Sequence, residues 1–114
     1  MSRSPSAAAA KLQDAAPLFA ALGDPTRLRL VSRLCAGGPL SISALADGAD
    51  VTRQAVTKHL NTLAAAGLAR PQRRGRELIW ELEPRRLEMA RRYLDRISES
   101  WDAALGRLAA FVEH

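Results

Sequence analysis

The sequence predicts a mainly α-helical domain with one β-hairpin, and three observations carry that expectation. Apolar residues recur at helical spacing through five segments. A helix-start pair, Asp24-Pro25, and helix-stop glycines at 23, 37, 38 and 67 punctuate those segments. One run, ELIWEL at 77–82, alternates instead with a period of two and follows an Arg-Gly turn.

Residues 1–10, MSRSPSAAAA, lack apolar periodicity and read as a flexible tail, so a single domain is expected over 11–114. Leu12, Ala15, Ala16, Phe19 and Leu22 then share a helical face, in a helix interrupted or bent at Pro17 and ended by Gly23. Asp24 can accept a hydrogen bond from the free amides of a first turn, and Pro25 needs no amide hydrogen there, so a second helix opens at 25. Its expected inner stripe is Leu28, Val31, Leu34 and Cys35; Arg27, Arg29 and Arg33 point elsewhere, and Gly37-Gly38-Pro39 stops it. A short helix follows, capped by Ser41, with Ile42, Leu45 and Ala46 inward and Gly48 in the turn beyond.

Thr52 caps a helix expected over about 52–66, whose inner stripe is Val56, Leu60 and Leu63 and whose first turns carry Arg53, Gln54, Thr57 and Lys58 outward. Two short helices joined by a glycine-bearing turn, the second polar near its N-terminus, match a helix-turn-helix, which places side chains in a major groove. The segment of about 68–83 reads as a hairpin wing, with Leu78, Trp80 and Leu82 alternating against Glu77, Ile79 and Glu81, and Arg74-Gly75 in the turn. Pro84 opens a last helix over about 84–112. There Leu87, Ala90, Leu94, Ile97, Trp101, Ala104, Leu108 and Phe111 recur in steps of three and four, with Leu105 beside them. Roughly 28 residues at about 1.5 Å each span about 40 Å, too long for a core this small to cover. The stripe, together with Leu12 and Phe19 of the first helix, is therefore expected to meet a second copy of the chain in a homodimer.

The 114 residues carry a formal net charge of +5, which favours polyanionic partners only weakly by itself. Its distribution says more: from Val51 to Arg76 the chain holds Arg53, Lys58, Arg70, Arg73, Arg74 and Arg76 without one acidic residue. No apolar run reaches the roughly eighteen residues of a membrane span, and the alanines at 7–10 are too short for a signal peptide, so a cytoplasmic protein is expected. One cysteine rules out an intramolecular disulfide, and Cys35, His59 and His114 alone do not make a structural zinc site. Two distant histidines and no Gly-rich phosphate loop leave no catalytic constellation, so no enzyme, no cofactor and no metal are expected.

The stretches FAALGDPTRLRLVSRL and SISALADGADVTRQAVTKHLNTLAAAGLARPQRRGRELIWEL resemble the ArsR/SmtB family of bacterial winged helix-turn-helix regulators. The match covers roughly residues 18–83, and DPTRLRL, the TRQAVTKHLNTLAAAGL helix and the RRGRE wing carry it jointly. The resemblance implies a homodimeric transcriptional repressor on a pseudo-palindromic double-stranded DNA operator, dimerised through its first and last helices. It implies DNA contacts from Thr52, Arg53, Gln54, Thr57, Lys58 and His59 and from the wing residues Arg73, Arg74 and Arg76. Independently, Gln54 suits bidentate bonding to adenine, Arg53 to guanine, and Lys58 suits phosphate. Metal-sensing members of that family place paired cysteines where this chain has SISALAD, or His and carboxylate ligands on the last helix, and neither set is present. Metal sensing is thus not expected, and an unknown small-molecule effector stays open.

Several residues carry two readings. Cys35 reads as a small core residue rather than a redox sensor, and Trp101 and Phe111 as seam rather than ligand cage. His59, beside Leu60, suits packing or a backbone hydrogen bond as well as a phosphate contact. Arg85, Arg86, Arg91, Arg92 and Arg96 read as a solvated face or as partners of Glu88, Asp95 and Glu99. The rival to a DNA-binding regulator is a protein-interaction module built on the last helix.

Overall fold

Alanine is the best helix former, and four in succession start the first helix earlier than apolar periodicity suggests. The computed structural model describes residues 7–113, and α1 spans Ala7–Leu22, beginning inside the stretch expected as a tail. Residues 1–6 and His114, and the side chains of residues 7–12 and 113, the expected interface residue Leu12 among them, lie outside the described residues. The helix runs through Pro17 without a break. Its buried face is Ala15, Leu18 and Ala21, with Phe19 and Leu22 half-buried and Ala16 exposed, so the true stripe is turned slightly from the expected one.

Helix α2 (Pro25–Gly37) opens as its sequence requires, with the Asp24 side chain accepting the Arg27 amide at 3.0 Å and Pro25 in the first turn. Its buried residues are Leu30, Val31 and Leu34. Leu28 is 49% exposed and Cys35 is exposed, which corrects both expected core positions. The stripe 30, 31, 34 and the stripe 28, 31, 34, 35 overlap on a helical wheel, and the packing of α1 and α4 selects the first. The chain leaves α2 through Gly38 at φ +73.

Strand β1 (Leu40–Ser41) leads into α3 (Ile42–Ala46), capped by the Ser41 hydroxyl, which accepts the Ala44 amide at 3.1 Å. Helix α4 (Arg53–Ala65) is capped by Thr52, whose hydroxyl oxygen accepts the Ala55 amide at 3.1 Å. Its end is a Schellman motif: the Leu68 amide reaches the Leu63 carbonyl at 3.0 Å and the Gly67 amide reaches the Ala64 carbonyl at 2.9 Å. Gly67 sits at φ +78, a conformation that favours glycine, and a Cβ there would lie 3.1 Å from Nε of Arg86, so the arginine side chain would have to give way slightly.

Strands β2 (Ala69–Arg74) and β3 (Glu77–Leu82) form an antiparallel hairpin, and β3 also pairs with β1, giving the order β1-β3-β2. Arg74 pairs with Glu77, so the two-residue loop is Gly75-Arg76, one position later than expected. Gly75 has φ +61 while Arg76 has none of the positive φ values, the pattern of a type II′ turn. The edge strand β2 carries Pro71, tolerable there because an edge strand leaves half its amides unpaired. Trp80, opposite Leu40, is buried in the sheet, and its indole N–H has no partner among the described residues.

The core joins Leu18 of α1, Leu30, Val31 and Leu34 of α2, Leu45 of α3, Val56, Leu60 and Leu63 of α4, Trp80 of β3 and Ala90 of α5. Each wholly buried leucine contributes about 1.5–3 kcal/mol relative to exposure. The final helix, α5, spans Pro84–Glu113, about 45 Å at 1.5 Å per residue. Its first turns pack Leu87, Met89 and Ala90 against the core, and Tyr93 meets Phe19 of α1 with ring centroids 5.8 Å apart. Beyond that point its stripe is uncovered: Leu94, Ile97, Trp101, Leu105, Leu108 and Phe111 are all exposed, Trp101 by 61%. Among the described residues no helix is long and apolar enough to cross a membrane.

Candidate nucleic-acid interface

Val56, Leu60 and Leu63 are wholly buried, so the rotation of α4 about its axis is fixed and its opposite face is committed to solvent. On that face Arg53, Gln54 and Lys58 are exposed. Their side chains make no hydrogen bond or ion pair with the described residues, which leaves them available for a partner. Thr52 is exposed but spends one hydroxyl lone pair on the cap. Thr57 is half-buried, and its hydroxyl donates to the Arg53 carbonyl at 2.9 Å, so toward a partner it offers its methyl group and remaining acceptor capacity.

His59 stands apart from these residues. Its Nδ1 lies 3.3 Å from Nη1 of Arg27 and 3.9 Å from the Asp24 carboxylate, and its side chain is only 24% exposed. The Nδ1 edge of the ring thus faces side chains, Arg27 of α2 and its N-cap Asp24, rather than backbone. The Asp24 carboxyl is held below its ordinary value of 3.8 chiefly because it accepts the Arg27 backbone amide; desolvation opposes this, and the nearby charge of Arg27 adds to it.

The wing divides its arginines by register. Arg70 pairs across the strands with Glu81, Nε to carboxylate at 2.9 Å, and its Nη1 reaches Glu83 at 3.0 Å. That arginine, counted in the basic patch from sequence, is therefore neutralised locally. Arg73, Arg74 and Arg76 sit at the hairpin tip, exposed, with no such partner among the described residues. On α5, Arg91 and Arg92 both pair with Glu88, at 3.5 and 3.6 Å, as a solvated face would.

Sequence reasoning missed two arginines. Arg33, expected only to point away from the core, donates to the carbonyls of Leu45 at 2.7 Å and Ala44 at 2.8 Å and so closes the C-terminal end of α3. Arg27 donates to the Ala21 carbonyl as well as approaching His59. No local pattern signals either, since both partners come from other elements. Among the described residues no group of three or more His, Cys, Asp or Glu could hold a metal ion.

Residues 22–72, the span from the end of α1 into β2, match the family model described as a helix-turn-helix domain. The chain is 38% identical over 93 residues to the HTH-type transcriptional regulator Rv2034 of Mycobacterium tuberculosis, covering 82% of this chain and 83% of that protein. It is similar in structure to an ArsR-like transcriptional regulator from Rhodococcus sp. RHA1, with a TM-score of 0.72 and 36% identity over 87% of this chain and 92% of the other. The chain belongs to the ArsR family. The AntR antimony-specific transcriptional repressor is a further similar structure, with a TM-score of 0.59 and 30% identity over 90% of each chain. The ArsR assignment makes the chain a winged helix-turn-helix transcriptional regulator, with α3–α4 as the helix-turn-helix and β2–β3 as the wing.

Proposed function

We propose that the chain is a homodimeric repressor that occupies a pseudo-palindromic operator, inserting α4 into the major groove and laying the β2–β3 tip on flanking DNA. The observation that carries this reading is the fixed rotation of α4, which buries Val56, Leu60 and Leu63 and leaves Arg53, Gln54 and Lys58 exposed without partners among the described residues. Arg53 reads guanine, Gln54 reads adenine, Thr57 offers its methyl to thymine, and Lys58 and Thr52 hold phosphate. Arg73, Arg74 and Arg76 neutralise flanking phosphates or enter a narrow minor groove. Repression follows from occupying the operator, and the similar AntR structure is that of a repressor.

The exposed stripe from Leu94 to Phe111 supports the dimer, because a row of large apolar side chains this long is costly to leave in water. A second copy presents the same stripe, so a two-fold axis covers both at once, with Phe19 of α1 at its margin. Acting on the chromosome also calls for a cytoplasmic protein, and repression by occupying the operator needs no catalytic step.

Selection of bound sequences from a random DNA pool tests the whole reading. The expected winner has two related half-sites about one helical turn or more apart and binds at least roughly a thousandfold tighter than scrambled DNA. Gln54→Ala then loses about 1–3 kcal/mol on that operator and little on scrambled DNA. Equal, weak binding to every DNA would sink the reading and turn attention to a protein partner for α5.

A further inference from the structure

Three helices meet at one arginine. Arg27, in the first turn of α2, donates from Nε to the Ala21 carbonyl at the end of α1 and from Nη1 toward Nδ1 of His59 on α4, 3.3 Å away. Its backbone amide is held by the Asp24 carboxylate at 3.0 Å, and that same carboxylate lies 3.9 Å from the His59 ring. A guanidinium has only donors, so the nitrogen that faces it accepts, and the ring proton resides on the other nitrogen, Nε2. His59 lies on the next turn of α4 after Arg53 and Gln54, one residue beyond Lys58 and one before the buried Leu60.

We infer that His59 is a positioning residue, which through Nδ1 and Arg27 sets the placement of α4 on α2 and so aims the base-reading side chains, rather than touching DNA itself. This rests on the reading of α4 as the DNA-reading helix. The hydrophobic stripe of α4 fixes which face turns outward, but apolar packing is non-directional and leaves small shifts of the helix open. A hydrogen bond from a rigid, planar guanidinium, itself anchored to the α1 carbonyl and carried by a residue whose backbone amide the Asp24 cap holds, restricts those shifts. A misplacement of about 1 Å matters for DNA because bidentate base contacts have strict geometry while phosphate contacts tolerate adjustment. The arrangement therefore acts on the preference for operator over scrambled DNA, not on general affinity.

Two amide replacements separate the ring's nitrogens. His59→Asn keeps an acceptor near the position of Nδ1, and His59→Gln places its polar group nearer that of Nε2. Each is titrated against operator and scrambled DNA at two salt concentrations, well below its melting temperature. The expected result is that His59→Asn retains the operator preference, whereas His59→Gln and Arg27→Met each reduce it by about tenfold. The salt slopes stay unchanged and the double variant shows no further loss. Retention by Gln with loss in Asn would make His59 a direct DNA contact through Nε2 and overturn the inference. So would equal effects of the two amides, or a slope made shallower by Arg27→Met. Nitrogen chemical shifts of the free wild-type protein give a readout that needs no DNA, with the Nε2–H tautomer expected and the Nδ1–H tautomer overturning the inference. A wild-type protein without operator preference would instead refute the reading of α4, and the tautomer would still report on the Arg27–His59 contact.

Discussion

Arg33 of α2 and Leu45 of α3 are joined by a hydrogen bond from Nη1 to the backbone carbonyl, 2.7 Å long, in which a charged side chain substitutes for the next turn of a helix that has none. Helix α3 has five residues, so its terminal carbonyls have few intrahelical partners, and Ala44 and Asp47 carbonyls join Leu45 on the same guanidinium. Replacing Arg33 with methionine keeps most of the stem and removes the donors. The expected loss is about 1 kcal/mol, discounted because the side chain is exposed, and it appears as a lower urea midpoint at constant m. An unchanged midpoint would show that water caps α3 equally well.

The wing arginines differ in what they are free to do. Arg74→Ala removes an unpaired cation from the tip and is expected to weaken operator and scrambled DNA alike, making the salt slope shallower by about one unit. Arg70→Ala removes a cation already held by Glu81 and Glu83, so its slope is expected to match the wild type. Binding titrations over a range of salt decide the pair, and identical slopes for the two variants would contradict this division of the wing.

The exposed seam makes a sharper demand. Trp101, 61% exposed in the single chain, is expected to be covered by the second copy, so Trp101→Glu places a charge where both copies must desolvate it. Sedimentation of the variant at micromolar concentration is expected to give the monomer mass with helical content retained. A dimer of normal stability would place the interface elsewhere.

Asp24 provides a pH dependence with a definite sign. Its carboxyl titrates below 3.8 in the folded protein, so it contributes stability that is present above that value and is lost as pH falls through the folded value. Asp24→Asn can still cap α2 but cannot ionise. Relative to this variant, the wild type is expected to hold an advantage that narrows steadily as pH falls below about 3.8. Parallel acid limbs in denaturation of the two proteins would show that the charge on Asp24 does not matter.

What this chain's sequence determines by itself is everything settled within a few residues. The caps at Asp24, Ser41 and Thr52, the glycines at 38 and 67, the stripe Val56, Leu60 and Leu63, and the strand around Trp80 all follow from near neighbours along the chain, although Leu78, expected to alternate inward with Trp80, is exposed. The exposed face of α4 and the wing-tip arginines were legible for the same reason, since burying one face commits the other. The tertiary structure alone decided which partner a long polar side chain finds. Arg33 closes α3, Arg70 is neutralised by Glu81 and Glu83, and His59 turns its Nδ1 to Arg27. It also added β1 to the sheet and chose between overlapping stripes on α2, leaving Leu28 and Cys35 in solvent. A helical period names a face to within about one residue; the neighbouring elements, brought close only by folding, select its centre and occupy the reach of each flexible cation.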